Sequence, residues 1–331
     1  MQNILIVRLT ALGDIIHSAV VLEFIKKELP NINIDWLVEK SFSGILENNP
    51  NIRKIYPIDL KSLKKDRSLK NIKFIYSKLK TISKNSYDLV LDMQGLIKSA
   101  IVSRIISRNI HGFSFYSGKE GISSFLYKSK TISDYSENKI WRNVKLVNDS
   151  LGLNISIFDI KNKSPHLFFQ DRTFSAKDNI IFIVGSSMSQ KNYPKKQFLK
   201  LANRIKKSIF VVWGNQEEKH IANYLAKNSE YISIAPKMNL DQLKYFISTA
   251  SVVIGNDTGP THLAWAMNTP AIILFGLTPV EQAFETNINI VLKSDSKINH
   301  RKIDKKDISI KDIEVSQILD KLNFFQNNIK E

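Results

Sequence analysis

Seven short apolar runs, each broken off by a loop of small and polar residues, constrain this chain more than any other feature of its sequence. The first, ILIVRL (residues 4–9), is too short for a helix and holds a single charge. It runs into Thr10-Ala11-Leu12-Gly13-Asp14, the pattern of a strand buried on both faces of a parallel sheet and followed by a tight loop. IIHSAVVLEFIKKEL then carries apolar residues at three-to-four spacing up to Pro30, which predicts a helix, and INIDWLVE predicts the next strand. A β-loop-α-β unit of this kind opens a doubly wound sheet.

The alternation continues through helical NIKFIYSKLKTISK, strand DLVLDMQG and helical LIKSAIVSRIIS, so residues 1–165 are expected to form one α/β lobe. NIIFIVGSS begins a second, expected over residues 176–312. Helix QFLKLANRIKK, strand SIFVVWGN, helices EEKHIANYLAKN and LDQLKYFISTA, strand SVVIGND, helix THLAWAMN and strand PAIILFG follow. DIKNKSPHLFFQDRTFSAKDN reads as the linker, and residues 313–331 as a terminal helix that can return to the first lobe. Ligands of open parallel sheets sit beyond the C-terminal strand ends, so the loops after ILIVRL, DLVLDMQG, IIFIVGSS, FVVWGN and SVVIGND are expected to border a cleft between two facing lobes.

Composition narrows the chemistry. With 331 residues, 43% apolar and 24% charged, the chain is an ordinary globular protein long enough for two domains. It has no cysteine, so disulfides, thiolate metal sites and cysteine nucleophiles are excluded, and its six histidines show no H-E-x-x-H spacing. No cofactor or metal is expected. The opening residues do not read as a signal peptide and no run of about 18 apolar residues occurs, which predicts a cytoplasmic protein. Lys and Arg number 48 against 31 Asp and Glu, a net +17 that suits a polyanionic partner, although a general Lys-rich bias accounts for it equally well.

Five loops could carry chemistry. In Asp257-Thr258-Gly259-Pro260-Thr261-His262 a strand turns directly into a helix, whose first N–H groups attract phosphate; an N-capping Asp257 or Thr258 is the structural alternative. Asp14 directly follows a strand, a position suited to a general base, and an N-cap explains it as well. Ser186, Ser187 and Lys191 are suitable donors to a diphosphate, with a solvated lysine loop as the alternative. Glu217 and Glu218 follow Trp213-Gly214 and could bond ribose hydroxyls or simply complement a helix dipole. Lys61, Lys64 and Lys65 head a lysine-rich stretch, with Lys119, Lys128, Lys130, Lys139 and Arg142 further along, and could bind an acidic or phosphorylated acceptor. No nucleic-acid-binding pattern is present, so nucleic acid is not the expected partner.

In order along the chain, the first strand with its G-D loop, Lys191-Asn192-Tyr193-Pro194 and the D-[ST]-G-x-x-H motif at Asp257–His262 resemble the bacterial lipopolysaccharide heptosyltransferases from end to end. INIDWLVEKSF, the Lys61–Lys65 segment, LDMQGLIKSA and SGKEGISSFLY are similar to the members that add the first heptose, whereas Pro260 is also common in those that add the second. The resemblance implies a GT-B fold of two Rossmann-like domains facing across a central cleft. It further implies inverting transfer of heptose from ADP-heptose to Kdo-lipid A, without a divalent ion, in the cytoplasm and peripherally at the inner membrane. It assigns Asp14 as base, with Ser186, Ser187 and Lys191 toward the donor phosphates and Lys191 assisting departure. Glu218 is assigned to the ribose, with Glu217 as its alternative in register, and Asp257 to heptose hydroxyls. The turn Thr258, Gly259, Pro260, Thr261 and His262 borders the donor, and Lys61, Lys64, Lys65 and Lys119 meet the acceptor. A non-catalytic, nucleotide-responsive binding protein is the competing reading, since two Rossmann-like lobes can close on a ligand without a base.

Overall fold

The structure, a computed structural model, describes residues 1–328, with the side chains of Lys64 and residues 326–328 outside the described set. Residues 329–331 of the expected terminal helix therefore lie outside the described residues. The chain divides into two compact units, Met1–Phe168 and Phe169–Glu331, the cut falling inside the segment read as linker.

In the first unit β1 (Asn3–Val7) leads to α1 (Leu12–Ala19), α2 (Val21–Glu28), β2 (Asn33–Glu39) and β3 (Lys54–Ile58). Short α3 (Ser62–Lys65) and long α4 (Leu69–Ser83) precede β4 (Leu89–Asp92), α5 (Ile97–Ile106), β5 (Ile110–Phe113) and β6 (Ser129–Thr131). The unit ends with α6 (Lys139–Leu151) and α7 (Ile157–Lys161). The six strands pair in parallel in the order β3-β2-β1-β4-β5-β6, the order of a dinucleotide-binding sheet. β1 shows why the chain folds this way: Ile4, Leu5, Ile6 and Val7 are all 0% exposed, because helices cover both faces of the sheet.

The second unit repeats the plan. Its elements are β7 (Ile180–Ile183), α8 (Lys195–Ile205), β8 (Ile209–Val212), α9 (Gln216–Asn228), β9 (Ile232–Ile234) and α10 (Leu240–Ser248). They continue through β10 (Val252–Asn256), α11 (Gly259–Ala266), β11 (Ala271–Phe275), β12 (Asn289–Lys293) and α12 (Val315–Asn328). The sheet order β12-β11-β10-β7-β8-β9 is the first unit's order with each strand replaced by its counterpart. The expected pair of Rossmann-like α/β domains is what the chain has.

Four local expectations change. IIHSAVVLEFIKKEL is two helices with a break at Val20, and His17 is buried beneath the first of them. The terminal helix packs within the second unit: Ile318, Leu322 and Phe325 join the core formed by Phe182, Phe198 and Leu274, because its apolar stripe finds its cover there. The linker is built into its neighbours, with His166 and Leu167 buried in one unit and Ala176 in the other. Finally, β3, β5, β6, β9 and β12 extend sheets whose central strands alone were expected.

One buried polar cluster fixes the end of β4. Asp92, 0% exposed, accepts from the hydroxyls of Tyr127 at 2.7 Å and Ser99 at 2.8 Å, and from the N–H groups of Gln94 and Gly95. Burial pushes its carboxyl up and these donors oppose the shift. Gly112 makes room for the Tyr127 ring, since a Cβ there would lie 2.5 Å from it. Tyr127→Phe, which removes one donor from a buried carboxylate, should cost the first unit about 1–3 kcal/mol in urea unfolding; an unchanged midpoint would show that the remaining donors suffice.

Candidate functional site

In each sheet the strand order reverses between its two central strands, and the loops leaving those strands are where a ligand of such a sheet sits. In the first unit these are the loops after β1 and β4. Arg8 and Asp14 stand on one and Gln94 on the other, and Gln94 Oε1 accepts the N–H groups of Leu9 at 2.8 Å and Thr10 at 3.2 Å, tying the loops together. Asp14 is the third residue of α1, and its carboxylate accepts from Ala11 N–H at 3.2 Å, as a first-turn acid does. Two cations meet the same carboxylate: Arg8 Nη2 at 3.0 Å and Lys139 Nζ at 2.6 Å. Burial alone would raise its pKa, but Lys139, Arg8 and the Ala11 N–H together hold it well below the usual carboxylate range.

The expected acceptor lysines flank this point along the same edge of the sheet. Lys61 follows β3, is exposed, donates to Ser41 Oγ at 2.9 Å and lies over the Phe42 ring. The loop it borders joins the β1 exit through Glu39 N–H, which donates to the Leu9 carbonyl. On the other side Lys119 is exposed, and its backbone passes close to Gly95, a residue whose φ of 65° suits glycine. Lys65 is exposed on α3, and the Lys64 side chain lies outside the described residues.

In the second unit the corresponding loops follow β7 and β10. Asn256, the last residue of β10 and 0% exposed, clamps them: its Nδ2 donates to the Val184 carbonyl at 2.9 Å and its Oδ1 accepts from Tyr193 N–H at 2.8 Å. The clamp brings Lys191 onto Asp257 in a buried ion pair. The carboxylate also takes His262 Nε2 at 2.8 Å and the Thr278 hydroxyl at 2.8 Å. Burial pushes Asp257 up, and Lys191 with His262 overcomes this and holds it well below the usual range. Asp257 thus serves these side chains instead of capping α11, and Thr258, at the N-cap position, makes no side-chain cap bond. Pro260 sits in the first turn, and the Thr261 hydroxyl returns to the Asn256 carbonyl at 2.7 Å.

Ser186 Oγ lies 2.7 Å from both the Met188 carbonyl and Asn192 Oδ1, shaping the loop that presents exposed Ser187. Glu218 takes the N–H of Gly214 and Asn215 Nδ2, and its carboxylate occupies the space where a side chain at Gly185 would stand. Gly185 therefore lets the β7 and β8 loops meet. Glu217 is exposed and Glu218 partly covered, so of the two Glu218 borders the serine loop.

Arg8, Gln94, Lys139, Asn256 and Thr278 are parts of these clusters that motif reading leaves unassigned. Arg8 carried a visible signal, as the only charge in an otherwise apolar strand run. Lys139 was visible only as one of many lysines, since nothing in the sequence joins it to a carboxylate 125 residues away.

Known proteins match this chain over most of its length. The profile of glycosyltransferase family 9 (heptosyltransferase) matches residues 75–308. Lipopolysaccharide heptosyltransferase 1 of Campylobacter coli is 41% identical over 339 aligned residues, covering 96% of this chain and 97% of that protein. The enzyme of the same name from Escherichia coli K12 is 26% identical, over 84% of this chain and 88% of its own. Among solved structures, the E. coli heptosyltransferase WaaC with ADP-2-deoxy-2-fluoro heptose has a TM-score of 0.80 at 21% identity, covering 99% of this chain and 100% of that one. E. coli ADP-heptose lps heptosyltransferase II has a TM-score of 0.73 at 16% identity, with both chains fully covered. The structural likenesses show the GT-B class of fold.

Asp257→Asn leaves Lys191 facing a neutral amide in a buried site, which should destabilise the second unit by about 3–5 kcal/mol at pH 7. Asp257 has a depressed folded-state pKa, so its stabilisation is fully present above the ordinary carboxylate value of 3.8 and fades as pH falls below it. The gap between wild type and variant in urea midpoints should therefore narrow below about pH 4; a gap that is constant with pH would show that the pair contributes nothing electrostatic.

Proposed function

The chain belongs to glycosyltransferase family 9, the heptosyltransferases, and from that membership we propose that it moves L-glycero-D-manno-heptose from ADP-heptose to the Kdo of Kdo-lipid A, with inversion at the anomeric carbon. The observation that supports the mechanism is the matched pair of strand-end ion pairs: Asp14 with Arg8 and Lys139 at one unit's switch point, and Asp257 with Lys191 at the other's.

In this reading Asp14 removes the proton of the Kdo hydroxyl as its oxygen forms the bond to the heptose anomeric carbon. The bond to the diphosphate breaks with its electron pair leaving on ADP. Lys191, Ser186, Ser187 and the turn from Thr258 through Gly259, Pro260 and Thr261 to His262 hold the diphosphate and stabilise the charge that develops on it, without a divalent ion. Glu218 bonds the ribose. Asp257 keeps Lys191 in place and meets the heptose hydroxyls. The donor class is supported by the E. coli structures solved with ADP and with an ADP-heptose analogue.

Lys61, Lys64, Lys65 and Lys119 take the acidic acceptor in this proposal. Residues 61–131 hold fifteen Lys and Arg against four Asp and Glu, most of the chain's net positive charge. The same segment exposes Phe115, Tyr116, Ile122 and Phe125, with Phe115 edge-on to both Tyr116 and Phe125. Cationic and aromatic groups on one segment suit peripheral contact with an anionic membrane on the cytoplasmic side, where the lipid acceptor resides. No described helix is long and apolar enough to cross a membrane.

The activity is tested by ADP release from ADP-heptose that depends on Kdo-lipid A. Asp14→Asn should lower turnover by about two to four orders of magnitude while ADP-heptose affinity is retained; near-normal turnover removes Asp14 from the role of base. Neutralising Lys61, Lys64 and Lys65 together should raise the KM for Kdo-lipid A and spare the donor. That advantage of the wild type should shrink as salt rises, because exposed charges are screened over about 8 Å at physiological ionic strength. An unchanged acceptor KM at low salt would make these lysines a solvated surface.

A further inference from the structure

A helix packed on a sheet buries its apolar stripe and turns its polar residues to water. α4 departs from this. It buries Ile75, Leu79 and Ile82, yet leaves Leu69 75%, Ile72 45%, Phe74 58% and Tyr76 48% exposed. Leu69, Ile72 and Tyr76 recur at spacings of three and four, so they form one stripe along the helix outside the core. Lys73 and Lys80 run exposed beside that stripe, and on the opposite flank Lys78 Nζ lies 4.6 Å from the centre of the Phe74 ring.

The pattern extends across two neighbours. α5 packs against α4, and the short helix Gly121–Leu126 packs against α5, all over the core that holds Leu5, Val7 and Val90. α5 exposes Ile97 and Ile101 beside Lys98 and Arg104, and the short helix exposes Ile122 and Phe125, the last at 75%. None of the three elements holds an acidic residue, and Glu120, which precedes the short helix, accepts the Ile97 N–H at 2.7 Å. The acceptor lysines adjoin this face. Asn71, in the first turn of α4, donates to Ser62 Oγ at 3.3 Å and to the Asp66 carbonyl at 2.9 Å, which holds α3 and its Lys65 against the helix.

We propose that the outer face of α4, α5 and the short helix Gly121–Leu126 docks on an anionic phospholipid bilayer, with α4 lying along the headgroup layer and the acceptor lysines at its end. This rests on the reading of the acceptor as a membrane lipid. Apolar side chains interleaved with cations, and with no acid among them, fit such a surface: the ammonium groups meet phosphates while their stems and the apolar residues settle at the edge of the acyl chains. A second copy of the same face would set cation against cation, and a neutral apolar partner would leave the six exposed cations of α4 and α5 without counter-charge. A protein held flat on the bilayer meets its acceptor beside α3 without drawing the lipid through water. The face therefore governs the KM for a bilayer-borne acceptor and leaves the chemical step alone.

The test compares the full-length protein with two variants, one combining Leu69→Ser, Ile72→Ser and Tyr76→Ser, the other combining Lys73→Gln and Lys80→Gln. Sedimentation with vesicles needs no substrate. Wild type should sediment with vesicles of phosphatidylethanolamine and phosphatidylglycerol but not with phosphatidylcholine alone, and each variant should lose about tenfold or more of that partitioning. Urea midpoints should hold, because the altered side chains are exposed. The KM for Kdo-lipid A carried in the same vesicles should rise in step, while kcat/KM for a water-soluble Kdo glycoside stays at the wild-type value. Wild type that binds neither vesicle overturns the docking face and assigns it to an acidic protein surface instead. Variants that partition as wild type does also overturn it, as does a KM that rises equally on the soluble glycoside, which marks a disturbed acceptor site. Vesicle binding as expected with no transfer to either acceptor upholds the face and removes the reading of the acceptor.

Discussion

A strand buried on both faces of a parallel sheet has no room for an unpaired charge, and this exclusion arranges nearly everything else in the protein. Helices cover the four core residues of β1 completely, so the first charges the chain can place are at the strand's exit. The same holds for β4, which ends on Asp92, and for β10, which ends on Asn256 ahead of Asp257. Polar chemistry is thereby gathered at one edge of each sheet. The reversal of strand order then leaves one point on each edge where a ligand can approach.

Charge at those points is retained only when paired. Asp14 and Asp257 would both be driven toward the neutral acid by burial, and both stay ionised because cations meet them. The two pairings have different consequences. At Asp257 the lysine, the histidine and the Thr278 hydroxyl occupy both oxygens, an arrangement that fixes the position of Lys191. At Asp14 Arg8 and Lys139 take one oxygen each, an arrangement that holds the carboxylate itself in place. Burial, in this protein, makes the carboxylates and their partners interdependent.

The central strands were legible in the sequence because an apolar run ending in Gly-Asp or Gly-Asn-Asp has few other readings. β3, β6 and β9 were not: KIYPI holds a proline and sits at an edge, and SKT and ISI are three-residue strands that pairing alone creates. The break at Val20 was hidden because the apolar period runs on through it. Asp14, Lys191, Asp257 and Glu218 were legible as residue types at strand exits. Their partners were not, since Lys139 and Thr278 reach these carboxylates only through the fold. The destination of the terminal helix was invisible for a related reason, an amphipathic stripe specifying that it is covered but not by what.

Family membership establishes the chain as a heptosyltransferase, and the strand-end geometry proposes how it works. The remaining distinction is which hydroxyl it glycosylates, the Kdo of an unglycosylated core or a heptose already in place. Incubating the protein with ADP-heptose and equal amounts of Kdo-lipid A and heptosyl-Kdo-lipid A, followed by mass analysis of the lipid products, addresses it directly. The account predicts that Kdo-lipid A gains one heptose while heptosyl-Kdo-lipid A is left unchanged. Heptose added only to the acceptor that already carries one, or ADP released with no lipid product, would contradict it.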